Sequence, residues 1–329
     1  MIRRFQNEVA TGKLTLSVAV VLSILLWIGA NLVRTIPISK TGYLLEQEFL
    51  NRVSTGFLNN SLSFVSFALC GYLLIELNNA YSVIRIRTSL HVSIFCLLVA
   101  AFPFLHTLNN GCISGLLSTL SIYFLFRSYQ CQQPVGYIYH ALLFLGIGSL
   151  LFPQLLYFIP VLLLGAYKFK ALTLRTFFAG IIGLSVPYWF LLGHAFFYNE
   201  MNLFYAPFIE LGSFRPIDYS QVGLPVIVSV SFIILLLIVS SVHYMITSYQ
   251  DKIRVRSYLN FLIYFAVFII IFLCLQPQYA ETLLSLLLPI TAFLAGHLFT
   301  LSNTKVSNLF FIFSILLLIA VTVLNLWIL

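Results

Sequence analysis

Charge is the scarcest commodity in this chain. Only 8% of its residues are Asp, Glu, Lys or Arg, where a soluble domain carries about 25%, and 61% are hydrophobic with a mean hydropathy of +1.03. A water-soluble globule and a disordered chain are both excluded. Recognisable metal spacing is also lacking. Cys70, Cys96, Cys112, Cys131 and Cys274 form no CxxC pattern, and His91, His106, His140, His194, His243 and His297 form no HxH or HxxxH pattern. Neither a disulfide framework nor a zinc site can be read from them. GxSxG, Walker, HExxH and GxGxxG motifs are absent, as are internal repeats and low-complexity tracts. Charges are almost missing from the apolar runs, which argues against an ion-coupled pump or a voltage sensor.

Long apolar runs dominate instead, and they predict an all-α, polytopic transmembrane helix bundle in a single domain, 1–329. Eleven runs mark the candidate spans: 14–33, 57–77, 89–105, 112–126, 137–151, 155–167, 176–197, 222–245, 258–275, 283–301 and 307–328. The first follows Arg3, Arg4 and Lys13, but it is longer than a signal-peptide core and lacks a small-x-small cleavage pattern, so it reads as a retained span. The runs between 112 and 167 fall short of the roughly 20 residues that cross a hydrocarbon core. Pro153, Pro160 and Gly146-Ile147-Gly148 predict short or broken helices there. Gly111-x-x-x-Gly115 and Gly180-x-x-Gly183 read as close helix packing.

The net charge of +8 would suggest nucleic acid in a soluble protein, but here the basic residues stand at the ends of apolar runs. With the N-terminus in the cytoplasm, thirteen of the seventeen Lys and Arg fall inside, leaving Arg34, Lys40, Arg52 and Arg215 outside. That asymmetry predicts N-terminus in and C-terminus out, in the cell inner membrane, with no nucleic-acid partner.

The acids distribute the other way. Glu46, Glu48, Glu200, Glu210, Asp218 and Glu281 fall outside, chiefly in the two longest connections, 34–56 and 198–221. Long loops in compact domains often carry function. Glu46 and Glu48 are therefore the candidate catalytic carboxylates, although Glu48 also precedes Arg52 by four residues, the favourable order for a helix ion pair. In the second segment Glu210, Arg215 and Asp218 lie among aromatics that could stack on a sugar, with the Arg215 fork suited to a phosphate, and the same aromatics also suit interface anchoring. His106, Asn109 and Asn110 are expected to face an external groove and complete the substrate-binding set. No cofactor or metal is predicted, although a divalent cation is compatible with the paired glutamates.

The stretch from Leu142 to Pro153, with Ile159-Pro160-Val161, Leu174-Arg175 and Gly180 to Tyr188, resembles the middle of a bacterial inner-membrane family of unassigned activity. The order of elements also resembles the C-fold membrane glycosyltransferases, which use polyprenyl-phosphate-linked sugars. In that superfamily the first external loop carries an acidic motif near the catalytic centre, and Glu46-Gln47-Glu48 occupies that position, with Glu where Asp is commoner. The resemblance implies a membrane lipid or polyprenyl-phosphate sugar as partner. Glu46 or Glu48 would be general base or metal ligand, and Arg215 with His106 would hold the carrier phosphate. The alternative is a non-enzymatic lipid or polysaccharide transporter, or a membrane scaffold of an envelope assembly.

Overall fold

The structure, a computed structural model, describes residues 5–33, 56–86, 88–214, 216–220 and 222–328. Thirteen α-helices and no strand occur among the described residues. They are α1 (Phe5–Thr11), α2 (Thr15–Val33), α3 (Gly56–Tyr81), α4 (Leu90–Ala100), α5 (Asn110–Arg127), α6 (Val135–Leu151), α7 (Ile159–Lys168), α8 (Leu174–Phe197), α9 (Met201–Gly212), α10 (Leu224–Thr247), α11 (Ile253–Leu275), α12 (Ala280–Leu301) and α13 (Lys305–Ile328).

Six of these, α3, α8 and α10 to α13, are long and apolar enough to cross a membrane; α1 and α2, bent by 91° at Gly12, make a seventh if taken as one span. Each of the eleven apolar runs coincides with helix, but several helices are too short to cross alone. At 1.5 Å per residue, the eleven residues of α4 and the ten of α7 reach roughly 15 Å, half of a core of about 30 Å. The outer surface is rich in exposed Ile, Leu, Phe and Trp, including Phe190 at 78% and Trp327 at 83%, a surface suited to hydrocarbon rather than water.

The middle of the bundle is α12, buried along nearly its whole length and packed by α4, α5, α10 and α11. Small residues let its neighbours approach. A Cβ on Gly111 would meet Ser285 Oγ at 2.6 Å, and one on Gly115 would meet the Ser285 carbonyl at 3.1 Å. Between α6 and α8 the approach is closer still, since a Cβ on Gly183 would run into the Tyr139 carbonyl and one on Gly146 would lie 2.9 Å from the Leu184 carbonyl. Both glycine pairs singled out in the sequence thus serve helix packing.

Three helix-to-helix connections share one turn. After α4, α6 and α11 the chain passes through Phe102-Pro103, Phe152-Pro153 and Gln276-Pro277 into a short 3-10 segment. The residue before each proline is extended (ψ 84°, 86° and 72°), as the proline ring requires, so the helix stops there. Breaking a helix inside the bundle frees backbone groups, and polar side chains from neighbouring helices collect them. Ser63 donates to the Leu105 carbonyl at 2.8 Å, Asn59 accepts from the Leu108 N–H at 2.9 Å, and Asn325 donates to the Ala101 carbonyl at 3.0 Å.

Candidate functional site

Contacts between helix ends gather the basic residues at one end of the bundle, while four of the described acids stand at the other. At one end α1 meets the start of α13 (Gln6 N–H to Asn308, 3.0 Å), the start of α11 meets the end of α5 (Tyr258 hydroxyl to the Phe126 carbonyl, 3.0 Å), and Gln130 N–H bonds the Phe169 carbonyl (3.0 Å). Every described Lys and Arg lies at this basic end. Glu200, Glu210, Asp218 and Glu281 lie at the other.

The acidic end is built on the proline turns. Gln154, buried in the second turn, donates through Nε2 to the Tyr279 hydroxyl of the third at 2.8 Å; Tyr279 in turn donates to Glu210 Oε1 on α9 at 2.8 Å. Tyr157 fastens the same helix through the Leu211 carbonyl at 2.5 Å, and the Phe152 and Tyr279 rings meet edge-on at 5.4 Å. Asn110 closes the back of this cluster, donating to the Leu151 carbonyl at 2.8 Å. Amide, phenol and carboxylate therefore stand in one hydrogen-bonded chain that ends on the Glu210 acceptor, and the buried Gln154 Oε1 has no hydrogen-bond partner within it. Groups of this kind match sugar hydroxyls.

Of the residues expected to form the site, Glu46, Glu48 and Arg215 lie outside the described residues. The structure brings Glu210 and Asn110 toward the same turn and gives the others local duties. Asn109 caps α5, accepting from the Cys112 N–H at 3.0 Å. Asp218 is exposed and accepts from Ser220 N–H and hydroxyl at 2.9 and 2.6 Å. His106 departs from expectation. It does not face an external groove but is fully buried, its ring stacked on Trp27 at 3.9 Å and 19° and lying near the Val99 and Ala100 carbonyls. The first proline turn folds it inward, an outcome no polar pattern in the sequence betrays.

A groove of about 230 Å³ opens between α2 and α3 over a floor of α4. Val20, Ser23, Phe67, Ala68, Val92 and Phe95 line it, and Trp27 closes one end by packing edge-on against Phe64 (5.4 Å) and Phe67 (6.4 Å). Its wall is almost wholly apolar, and residues 16 to 27 of α2 run alongside it for roughly 16 Å at helical rise. Sequence reading missed this feature because a groove-lining face and a lipid-facing face have the same composition.

At the basic end one buried carboxylate ties three segments together. Asp251, between α10 and α11, accepts from Arg85 Nε at 2.7 Å, and its second oxygen lies 3.3 Å from His297 Nε2 on α12. The Asp251 side chain is fully shielded while Arg85 is 38% exposed. Burial alone would raise the Asp251 pKa, but the neighbouring His297 and Arg85 outweigh it and hold the carboxyl below its ordinary value.

No group of three or more His, Cys, Asp or Glu suited to a metal occurs among the described residues. Comparison of the chain with protein-family models, curated proteins and solved structures finds no significant match, so the reading of its function rests on its own residues.

Proposed function

We propose that this chain is a multi-pass inner-membrane protein that receives a lipid-linked sugar, with the hydrocarbon chain in the groove between α2, α3 and α4 and the head group at the acidic end. The groove carries this reading. An apolar cavity of about 150 Å³ already admits a benzene-sized guest, and this one is larger and flanked by lipid-facing helices. The gathering of every described Lys and Arg at one end supports a cytoplasmic placement of that end, N-terminus in and C-terminus out, with the short helices joining in pairs to complete eleven passes.

In the glycosyltransferase-like form of the reading, Glu46 or Glu48 supplies the base or metal ligand and Arg215 holds the carrier phosphate, while Gln154, Tyr279 and Glu210 bind sugar hydroxyls. A transporter or scaffold without chemistry is the second reading. It is favoured by the engagement of the described acids with the protein's own donors, Glu210 with Tyr279 and Asp218 with Ser220.

The test is lipid retention followed by turnover. Wild-type protein purified in mild detergent should carry lipid detectable by native mass spectrometry, and Ala68→Phe, which fills the groove, should lose it. Transfer of sugar from a polyprenyl-phosphate donor, abolished in Glu48→Gln with lipid retention intact, would identify an enzyme. Retention without transfer would leave the carrier reading, and absence of bound lipid in the wild type would refute both.

A further inference from the structure

The groove occupies one depth of the bundle, and that depth limits the hydrocarbon it can hold. Its floor is α4, which starts at the basic end, where Thr88 donates to the Ala10 carbonyl at 2.7 Å. The eleven residues of α4 reach roughly 15 Å before the first proline turn stops them, so the floor ends near the midplane of a core of about 30 Å. Both walls agree with the floor. On α2 the lining begins at Leu16, one turn beyond Lys13, and ends at Trp27, roughly 16 Å further on. On α3 it runs from Phe64 to Ile75, and the charged Glu76 follows at once. Lys13 and Glu76 set the basic edge of the hydrocarbon, because charge is costly any deeper. The groove therefore runs from that edge to just past the midplane.

Its opening is sideways. Trp27, buried and stacked on His106, blocks the end toward the acidic side. Val20, Ile24, Phe64 and Tyr72 line the groove and are also exposed on the lipid-facing surface, so a chain enters between α2 and α3. The buried Ser23 hydroxyl in the wall is already spent on the Ala19 carbonyl at 2.7 Å, which suits plain hydrocarbon. A head group held at the acidic end is separated from this groove by the other half of the core. The chains of one leaflet span about 15 Å, so a lipid anchored there by such chains stops where the groove begins.

We propose that the groove binds the far segment of a long lipid chain, the part beyond the bilayer midplane, and so selects lipids whose hydrocarbon exceeds one leaflet. The segment next to the head group lies in the bilayer and is not read. This inference rests on the head group's placement at the acidic end and adds which part of the ligand the protein recognises. Lipid tails are as apolar as the groove wall, so the preference comes from packing and is severalfold rather than absolute.

Photolabelling of the full-length protein in phosphatidylcholine bilayers tests the depth. Two hexaprenyl phosphates each carry a diazirine, one on the isoprene unit next to the phosphate and one on the terminal unit; only labelling that unlabelled hexaprenyl phosphate removes is counted. The terminal diazirine should label the groove faces of α2, α3 and α4, and the head-proximal one should not. Farnesyl phosphate, with the same head group and half the chain, should compete severalfold less well. Ala68→Phe should abolish terminal labelling and the length preference together, and the wild-type pattern decides alone if that variant does not fold. Groove labelling by the head-proximal diazirine, or equal competition by farnesyl phosphate, overturns the inference while leaving a lipid in the groove. Absence of any competed labelling overturns the lipid reading as well.

Discussion

Removing Arg85 should damage the protein more than removing the carboxylate it holds. Arg85→Ala leaves Asp251, fully shielded, as a buried anion facing only His297. Stripping one partner from a buried pair costs about 3–5 kcal/mol, and the lower end applies because Arg85 is 38% exposed and water can enter its place. Asp251→Asn instead removes the charge and leaves Arg85 free to turn to water, forfeiting a charged hydrogen bond of about 1.5–3 kcal/mol. The double variant should be more stable than Arg85→Ala alone. Acidity supplies a second check. Asp251 titrates below its ordinary 3.8 in the fold, so its contribution is complete above that value and is lost as pH falls through the lower, folded pKa. The difference between wild type and Arg85→Ala should therefore be constant well above the variant's Asp251 pKa and narrow as pH falls through it, a value that burial lifts above the wild-type one once Arg85 is gone. Equilibrium unfolding by titrating SDS into neutral micelles measures all four proteins. A larger loss for Asp251→Asn than for Arg85→Ala, or a double variant worse than either, would refute the reasoning.

Other consequences follow from the packing and the charge pattern. Gly183→Ala should cost about 1–3 kcal/mol, because its methyl meets the Tyr139 carbonyl and backbone cannot give way, whereas Gly193→Ala on the same helix, with open space around it, should be neutral or slightly stabilising; thermal unfolding of the pair compares them directly. Tyr279→Phe should cost about 1–3 kcal/mol by removing the donor to Glu210 and the acceptor for Gln154, and should loosen α9, seen as faster proteolysis between 201 and 214. A reporter fused at Asn303 should behave as cytoplasmic and one after Leu329 as external; the opposite pair would invert the proposed orientation.

Helix and hydrocarbon exposure were legible in the sequence because they depend on composition. So were the tight glycine contacts, since a missing side chain between apolar runs has few other uses. Pro153 announced a broken helix, yet Pro103 and Pro277 make the same turn and passed unnoticed inside or between longer apolar runs. The consequence was an external placement for His106, which the first of those turns buries against Trp27. Glu210 was legible as an isolated acid in an aromatic segment, but its partner Tyr279, and Gln154 that donates to Tyr279, lie 69 and 56 positions away and are single polar residues without a local pattern. Asp251 reads in sequence as one more solvated loop acid; only the fold brings Arg85 and His297 to it.

The most direct test of the groove as a lipid site uses Trp27. Trp189 and Trp327 are exposed on the lipid-facing surface at 71% and 83%, whereas Trp27 is 7% exposed and closes the groove. A variant with Trp189→Phe and Trp327→Phe retains Trp27 as its one tryptophan, and its fluorescence can be read in bilayers of lipids brominated along their chains. Bromine quenches at short range. If a chain occupies the groove, Trp27 should be quenched strongly despite its burial, and adding Ala68→Phe should restore its emission. Emission from Trp27 that brominated chains leave unchanged, or quenching indifferent to Ala68→Phe, would contradict the account.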